Sequence, residues 1–459
     1  MKLKNLKTNI TSILSKDNLM SPPRILVFGF ATVIFIGTML LMMPAASLDN
    51  QSVGFVNALF TATSAVCVTG LVVVDTGTHW SLFGKTVILF LIQIGGIGFM
   101  SMATLFAVLL GKRISLKERL IIQQAVAQNT LSGVVRFSLY MLGLTFFLES
   151  IGALLLSFRF IPEYGLLTGI GYSIFHSVSA FCNAGFDLIG NGRSFTPYVS
   201  DPLVTLTIGT LVILGGIGFA VIVDVVSNHK KRRFTLHTKI VLTMTVFLLT
   251  TGTILFLFLE WNNAATLGGL SMPNKLMASF FQSLTTRTAG FNTVDTAGLT
   301  NASKLLTIIF MFIGGSPAST AGGIKTVTFG IILIMALTVI EGKDRVGIFK
   351  RDISYSIVNR AITISVIAML LLITITMAMT AIESQFEFMD ILFEVASALG
   401  TVGLSTGVTS ELSNPGKLLI VFTMFAGRVG TLTIAFALAN KQQNYKNLVH
   451  YPEEKVIVG

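Results

Sequence analysis

Apolar residues run along this chain in long blocks, and polar, mostly basic stretches interrupt them with a period of about 110 residues. Each block opens with an apolar stretch long enough to cross a bilayer, for which about 20 residues suffice. These stretches are residues 25–43, 134–158, 240–259 and 362–381. A shorter apolar stretch follows in each block, at 54–66, 171–181, 275–284 and 389–398, too short to cross. Last comes a glycine-containing apolar return, at 81–110, 203–226, 305–340 and 418–439. The pattern predicts an all-α integral membrane protein of four helix–half-helix–helix repeats, with eight spanning helices and both termini on one side. The predicted boundaries are an N-terminal arm (1–24), repeat 1 (25–110), a linker helix (111–133), repeat 2 (134–227) and a basic loop (228–239). Repeat 3 (240–340), with a broken last helix, a second basic loop (341–361), repeat 4 (362–440) and a tail (441–459) complete the chain.

A motif marks each short stretch. Phenylalanine stands ten residues before a glycine in Phe60/Gly70, Phe175/Gly185, Phe280/Gly290 and Phe393/Gly403. Ser64, Ser179 and Ser397 share one register, and Ala65, Ala180 and Ala398 the next; the third copy has Leu284 and Thr285 there. A second glycine cluster follows in each return: Gly95-Gly96, Gly215-Gly216, Gly314-Gly315 and, more loosely, Gly427 and Gly430.

Composition and charge agree with this reading. Hydrophobic residues make up 53% and charged residues 12%, about half the charged share of a soluble domain. The net charge of +11 lies in clusters between apolar spans, which excludes a nucleic-acid partner in favour of membrane topology. Lys2, Lys4, Lys7, Lys16 and Arg24 precede the first span. Lys112, Arg113, Lys117, Arg119 and Arg136 follow repeat 1; Lys230, Lys231, Arg232, Arg233 and Lys239 follow repeat 2; Lys343, Arg345, Lys350, Arg351 and Arg360 follow repeat 3. With Lys441, Lys446 and Lys455 in the tail, this side is expected to be cytoplasmic, in a multi-pass protein of the cell membrane. The run at 25–43 is too long for a signal-peptide core, so it reads as a retained helix. Cys67 and Cys182 are read as small buried residues rather than a disulfide.

Backbone that leaves helical geometry inside a bilayer must be buried in protein or line water. Four half-helices arranged about one axis would bring their partly negative C-terminal ends to its centre. The residues after them could then offer carbonyl oxygens in place of a cation's hydration shell. Those segments are Val68-Thr69-Gly70, Asn183-Ala184-Gly185, Thr288-Ala289-Gly290 and Thr401-Val402-Gly403. Glycine leaves the path open and tolerates unusual backbone angles. Asp75, Asp187 and Asp295 follow three of the glycines and would concentrate cations at the mouth.

Ten residues at 314–323, Gly-Gly-Ser-Pro-Ala-Ser-Thr-Ala-Gly-Gly, cannot sustain a straight helix, so the third return reads as two halves around an irregular segment. Arg287, Lys325 and Arg428 are cationic positions among apolar helices and should face protein or water. Arg287 is expected to brace its segment through carbonyls, and Lys325 to snorkel towards an interface.

The segments SAVCVTGL, SAFCNAGF, TTRTAGF and SALGTVGLS resemble the four filter segments of the Trk/Ktr/HKT superfamily of potassium transporters, closest to the membrane subunit of Ktr systems. The resemblance covers nearly the whole chain. It implies a central pseudo-fourfold pore like that of potassium channels, K+ bound by the twelve segment residues named above, and a homodimer with the tail at its contact. It further implies an intramembrane gate, here Gly314, Gly315, Ser316, Ser319, Thr320, Gly322, Gly323 and Lys325, with Arg428 facing the pore. Glycine at Gly70 goes with potassium preference in the plant branch of that superfamily. The chain has no dinucleotide-binding fingerprint, so nucleotide control would come from a cytoplasmic ring of RCK-type regulatory subunits. Sodium is a candidate coupled ion for which no separate site is legible.

An enzyme would need a catalytic constellation. His79, His176, His229, His237 and His450 are scattered, and no HExxH or paired-carboxylate spacing occurs. His176 and Glu394 lie in half-helices as single copies, which read as local hydrogen bonding. A secondary transporter of another small solute is the nearer rival, though its repeats would more commonly be inverted and twofold.

Overall fold

Apolar helices must satisfy all their backbone groups internally, and the computed structural model of this chain is accordingly built from helices. It describes residues 22–98, 133–228 and 234–430, with 101, 102, 104, 105, 108 and 119 between them. The expected basic arm up to residue 21, most of the 111–133 linker helix and the 441–459 tail lie outside the described residues.

Among the described residues four helices are long and apolar enough to cross a membrane. They are the opening helices of the blocks: α1 (Pro22–Leu41), α4 (Val134–Tyr164), α8 (Leu236–Glu260) and α12 (Tyr355–Ile382). Each is followed by a half-helix: α2 (Phe55–Cys67), α5 (Leu166–Phe181), α9 (Met272–Thr285) and α13 (Phe388–Gly400). At about 1.5 Å per residue these are near 20 Å long, short of a bilayer's hydrocarbon. α2 and α13 are buried on all sides over their last turns, so they run through the centre of the protein.

Three returns depart from the continuous crossings that the hydropathy predicts, and the third is broken as its run of poor helix formers predicts. α3 (Leu82–Ile97) stops at Gly98, with φ 88° and ψ 132°. α6 (Pro202–Ile217) stops at Gly218, φ 97° and ψ 136°, and the chain turns by 94° into α7 (Phe219–Asn228). The third return is two helices, α10 (Asn301–Phe312) and α11 (Thr326–Ile340), flanking an irregular segment. After α14 (Val408–Glu411), α15 (Asn414–Val429) stops at Gly430, φ 90° and ψ 128°. Residues with a Cβ rarely adopt such angles, so three returns break at matching glycines. In hydropathy these positions pass for ordinary small residues.

One tie recurs at the start of every return. The N-cap residue of each return helix is bound to the end of its block's opening stretch. Ser81 N donates to Ala46 O at 2.8 Å, and Asp201 Oδ2 accepts from Arg159 Nε at 2.8 Å. Glu260 Oε1 accepts from Thr300 N at 3.0 Å and Thr300 Oγ1 at 2.7 Å. Glu383 Oε1 accepts from Ser413 N at 2.9 Å and from Ser413 Oγ. The return helix then packs on the half-helix of the next block: α3 on α5, α6 on α9, α10 on α13, and α15 back on α2. The ring of blocks is thus closed. Outside it, a two-residue ladder, β1 (Gly347–Ile348) with β2 (Arg351–Asp352), folds the loop before α12.

Replacing Glu383 by alanine leaves the Ser413 N–H and hydroxyl without their buried acceptor, a loss of about 1–2 kcal/mol. The thermal midpoint of the detergent-solubilised protein should fall by several degrees. Glu387→Ala, at an exposed N-cap whose side chain makes no cap bond, should leave it nearly unchanged.

Candidate ion pathway

The half-helices end in one repeated backbone turn. Val68, Asn183, Thr288 and Thr401 all have positive φ, at 57°, 58°, 69° and 50°. Two residues on, Gly70, Gly185, Gly290 and Gly403 have φ of 90°, 71°, 78° and 95°. Four β-carbon-bearing residues in a left-handed conformation cost energy that the surroundings must repay. The repayment is visible in hydroxyls one turn back. Ser64 Oγ accepts from Gly70 N and Ser397 Oγ from Gly403 N, both at 3.1 Å. In the other two copies the hydroxyl donates instead: Ser179 Oγ to Phe186 O at 2.7 Å, and Thr285 Oγ1 to Phe291 O.

The twelve segment residues predicted from sequence come together. A β-carbon on Gly70 would meet Ala184 O, and one on Gly185 would meet Ala289 O. One on Gly290 would meet Val402 O, and one on Gly403 would meet Thr69 O. Each glycine therefore abuts the carbonyl that precedes the next copy's glycine, and the fourth returns to the first. The second glycine cluster explains how the half-helix ends get this close. Gly95, Gly215 and Gly427 lie against the carbonyls of Val66, Phe181 and Leu399, where a β-carbon would collide.

At one end of the ring is an open cavity of about 470 Å³. Its lining includes all four glycines and the three expected carboxylates, Asp75, Asp187 and Asp295. Each carboxylate also accepts from its own loop: Asp75 from Thr78 N, Asp187 from Ile189 N, Asp295 from Ala297 N. Asp187 lies in the loop between α5 and α6, outside the spanning helices. Burial pushes its carboxyl up to about 6, and the neighbouring Asp75 adds to the rise. The fourth loop offers only hydroxyls, from Ser405, Thr406 and Ser410.

Beyond the other face of the ring lies the 314–325 segment. It docks on the carbonyls that α6 frees before its break. Ser316 N donates to Gly216 O at 2.9 Å and Thr320 N to Gly215 O at 3.2 Å, while Phe219 N donates back to Ala318 O at 3.0 Å. Gly314 N donates to Ile324 O at 2.8 Å, closing the segment on itself. Ser319 Oγ donates to Ser316 O, and Thr320 Oγ1 reaches Phe181 O at 3.2 Å. Gly322 has no room for a side chain against Thr401, and Gly323, at φ 64°, lies close against Gly400. Gly315 faces Gly216 O and the Ala321 methyl in the same way.

The three cations differ from one another. The guanidinium of Arg428 donates to Thr320 O in the segment and to Gly95 O and Gly96 O on α3. Lys325 Nζ donates to Ala321 O at 2.6 Å, within the segment, so it does not reach for an interface. Arg287 does not brace its carbonyls either. Its one hydrogen bond among the described residues runs from Nη2 to Thr245 Oγ1 on α8, at 3.4 Å. Cys67 and Cys182 are both free and buried.

Two carboxylates sit inside apolar helices: Glu149, which sequence reasoning missed, and Glu394, which it read as a local hydrogen-bonding group. Glu149, 5% exposed on α4, accepts from Gln93 Nε2 at 3.0 Å. Glu394 on α13 accepts from Ser405 Oγ at 2.6 Å and Thr406 N at 2.9 Å. A carboxylate inside an apolar stretch was the available signal. Its partners lie on other elements, which periodicity does not locate.

A family model described as TrkH, a cation transport protein, matches residues 4–448. The chain is 44% identical over 439 residues to the Ktr system potassium uptake protein B of Bacillus subtilis, covering 96% of this chain and 97% of that one. It is 41% identical to the potassium/sodium uptake protein NtpJ of Enterococcus hirae, covering 96% and 98%. Among solved structures, the potassium transporter TrkH from Vibrio parahaemolyticus superposes with a TM-score of 0.74 over 92% of this chain and 86% of that one, at 16% identity, which speaks to fold alone.

Proposed function

The chain belongs to the TrkH family of cation transport proteins, and on that premise we propose that it takes up potassium ions through the ring of its four glycine segments. The observation that carries this is the cycle of carbonyls at Thr69, Ala184, Ala289 and Val402, each beside the preceding copy's glycine. Positive φ at the first and third residue of each segment repeats in all four copies, so the four segments present the same backbone to the ring. Four such segments about a pseudo-fourfold axis replace the hydration shell of a bare cation, and the half-helices aim their negative ends at it. The hydroxyls of Thr69 and Thr401 are buried without hydrogen-bond partners among the described residues, which suits oxygens that serve an ion.

In this reading the mouth carboxylates face outward and the basic loops face the cytoplasm, with both termini. The 314–325 segment is the gate. Arg428 holds it shut by binding its Thr320 carbonyl and α3 at once, and by placing a fixed positive charge below the ring. Three relatives carry the name of a Ktr system, which fits control by a separate component. We assign that role to a nucleotide-binding RCK-type ring docked on the basic loops of a homodimer. Sodium is the candidate coupled ion, since one relative is named for both ions.

Gly70→Ser places a hydroxymethyl group against Ala184 O, so the ratio of potassium to sodium tracer uptake into liposomes should drop by about tenfold, near 1.4 kcal/mol of discrimination. An unchanged ratio would remove Gly70 from the filter.

Burial raises the Asp187 carboxyl to about 6, so a growing share of it is neutral as pH falls towards and below that value. Potassium uptake at subsaturating potassium should therefore fall as external pH is lowered from 7.5 to 5.5. In Asp187→Asn that part of the pH dependence should be absent, with uptake at pH 7.5 already reduced.

Arg428→Ala should raise flux through the membrane protein alone, measured per folded molecule. Arg428→Lys should do so only in part, because it keeps the charge and loses the planar fork. A melting curve run alongside separates the alternatives: a variant that is less stable and no leakier makes Arg428 a fastener, not a gate.

A further inference from the structure

Two buried side chains that the pathway above does not use perform one task from one repeat position. His176 on α5 and Glu394 on α13 directly follow the repeat phenylalanines Phe175 and Phe393. Both are 0% exposed. His176 Nε2 accepts from Leu188 N at 3.0 Å, and Glu394 Oε1 accepts from Thr406 N at 2.9 Å. Leu188 and Thr406 each stand three residues past their segment's glycine, so the two bonds hold the same peptide group in two copies. An imidazole and a carboxylate share little chemistry beyond accepting a hydrogen bond there.

The surroundings fix both acceptors. His176 Nδ1 lies 2.8 Å from Tyr172 O, which can only accept, so the proton sits on Nδ1 and Nε2 is free to accept. Its ring is packed among Phe160 and Phe195, at 5.4 and 5.1 Å between centroids. The Glu394 carboxylate also takes the hydroxyls of Ser405 and Thr409. The other two copies lack the device. Thr61 Oγ1 donates to Asn57 O within its own helix, and Phe281 has no acceptor. In the cyclic order of segments the second and fourth are opposite one another.

We infer that His176 and Glu394 are positioning residues that hold the second and fourth glycine segments, and that this opposed, braced pair sets the discrimination between monovalent cations. The inference rests on reading the glycine ring as the ion filter. A buried N–H left without its acceptor costs free energy and is relieved by rotating the peptide. That rotation relaxes the strand carrying the Gly185 or Gly403 segment, and a looser carbonyl cage fits the smaller sodium ion better.

The test is the potassium-to-sodium tracer uptake ratio of the purified full-length protein in liposomes, per folded molecule, with a melting curve for each variant. Glu394→Met and His176→Phe remove the acceptor and should each lower the ratio about fivefold. Glu394→Gln and His176→Gln keep an acceptor and should stay within about twofold of the parent. Should Glu394→Met fail to fold, His176→Phe carries the test, since it exchanges one ring for another among aromatic neighbours. A ratio unmoved in the acceptor-free variants, or lowered equally by the glutamine variants, overturns the inference. Gly70→Ser run in parallel locates the failure. If it shifts the ratio and the brace variants do not, the bracing role alone is wrong; if none of them shifts it, the filter reading falls as well.

Discussion

A backbone group that leaves a helix inside an apolar environment must find a partner, and much of this structure follows from that demand. The carbonyls that α6 frees at Gly215 and Gly216 are taken by Ser316 and Thr320 of the third block. Those of Gly95 and Gly96, and of Thr320 itself, are taken by Arg428 of the fourth. The breaks after α3 and α6 and the 314–325 segment are thus each closed in part by another block. No repeat could hold these conformations alone.

The same demand explains the two glycine clusters by different physics. The segment glycines need positive φ and a close neighbour, with the next copy's carbonyl in the place of a β-carbon. Gly95, Gly215 and Gly427 sit in helices with ordinary geometry. They are glycine because the end of their own block's half-helix presses against them. Spacing alone groups the two sets as one repeat.

The repeat, the half-helices and the twelve segment residues were legible because they depend on length, apolarity and glycine register. The irregular 314–325 stretch was legible because poor helix formers are crowded into it. What escaped depends on partners distant in sequence. The breaks at Gly98, Gly218 and Gly430 look like packing glycines until φ is known. Arg287, expected to brace carbonyls, turns to Thr245 on another helix. His176 and Glu394 looked unrelated because residue type hid a shared acceptor geometry.

The closure of the last block onto the first has a consequence for how the protein is made. α15 packs on α2, and Lys417 Nζ donates to Asn57 Oδ1 across a separation of 360 residues. A chain emerging from the ribosome N-terminus first inserts α2 long before α15 exists. Through most of synthesis the first half-helix keeps an unfinished flank, and its glycine segment lacks a neighbour on one side. The first three blocks can assemble in sequence as each return helix meets the next half-helix. The final step alone joins the two ends, so premature termination anywhere before residue 414 leaves an open arc rather than a smaller ring.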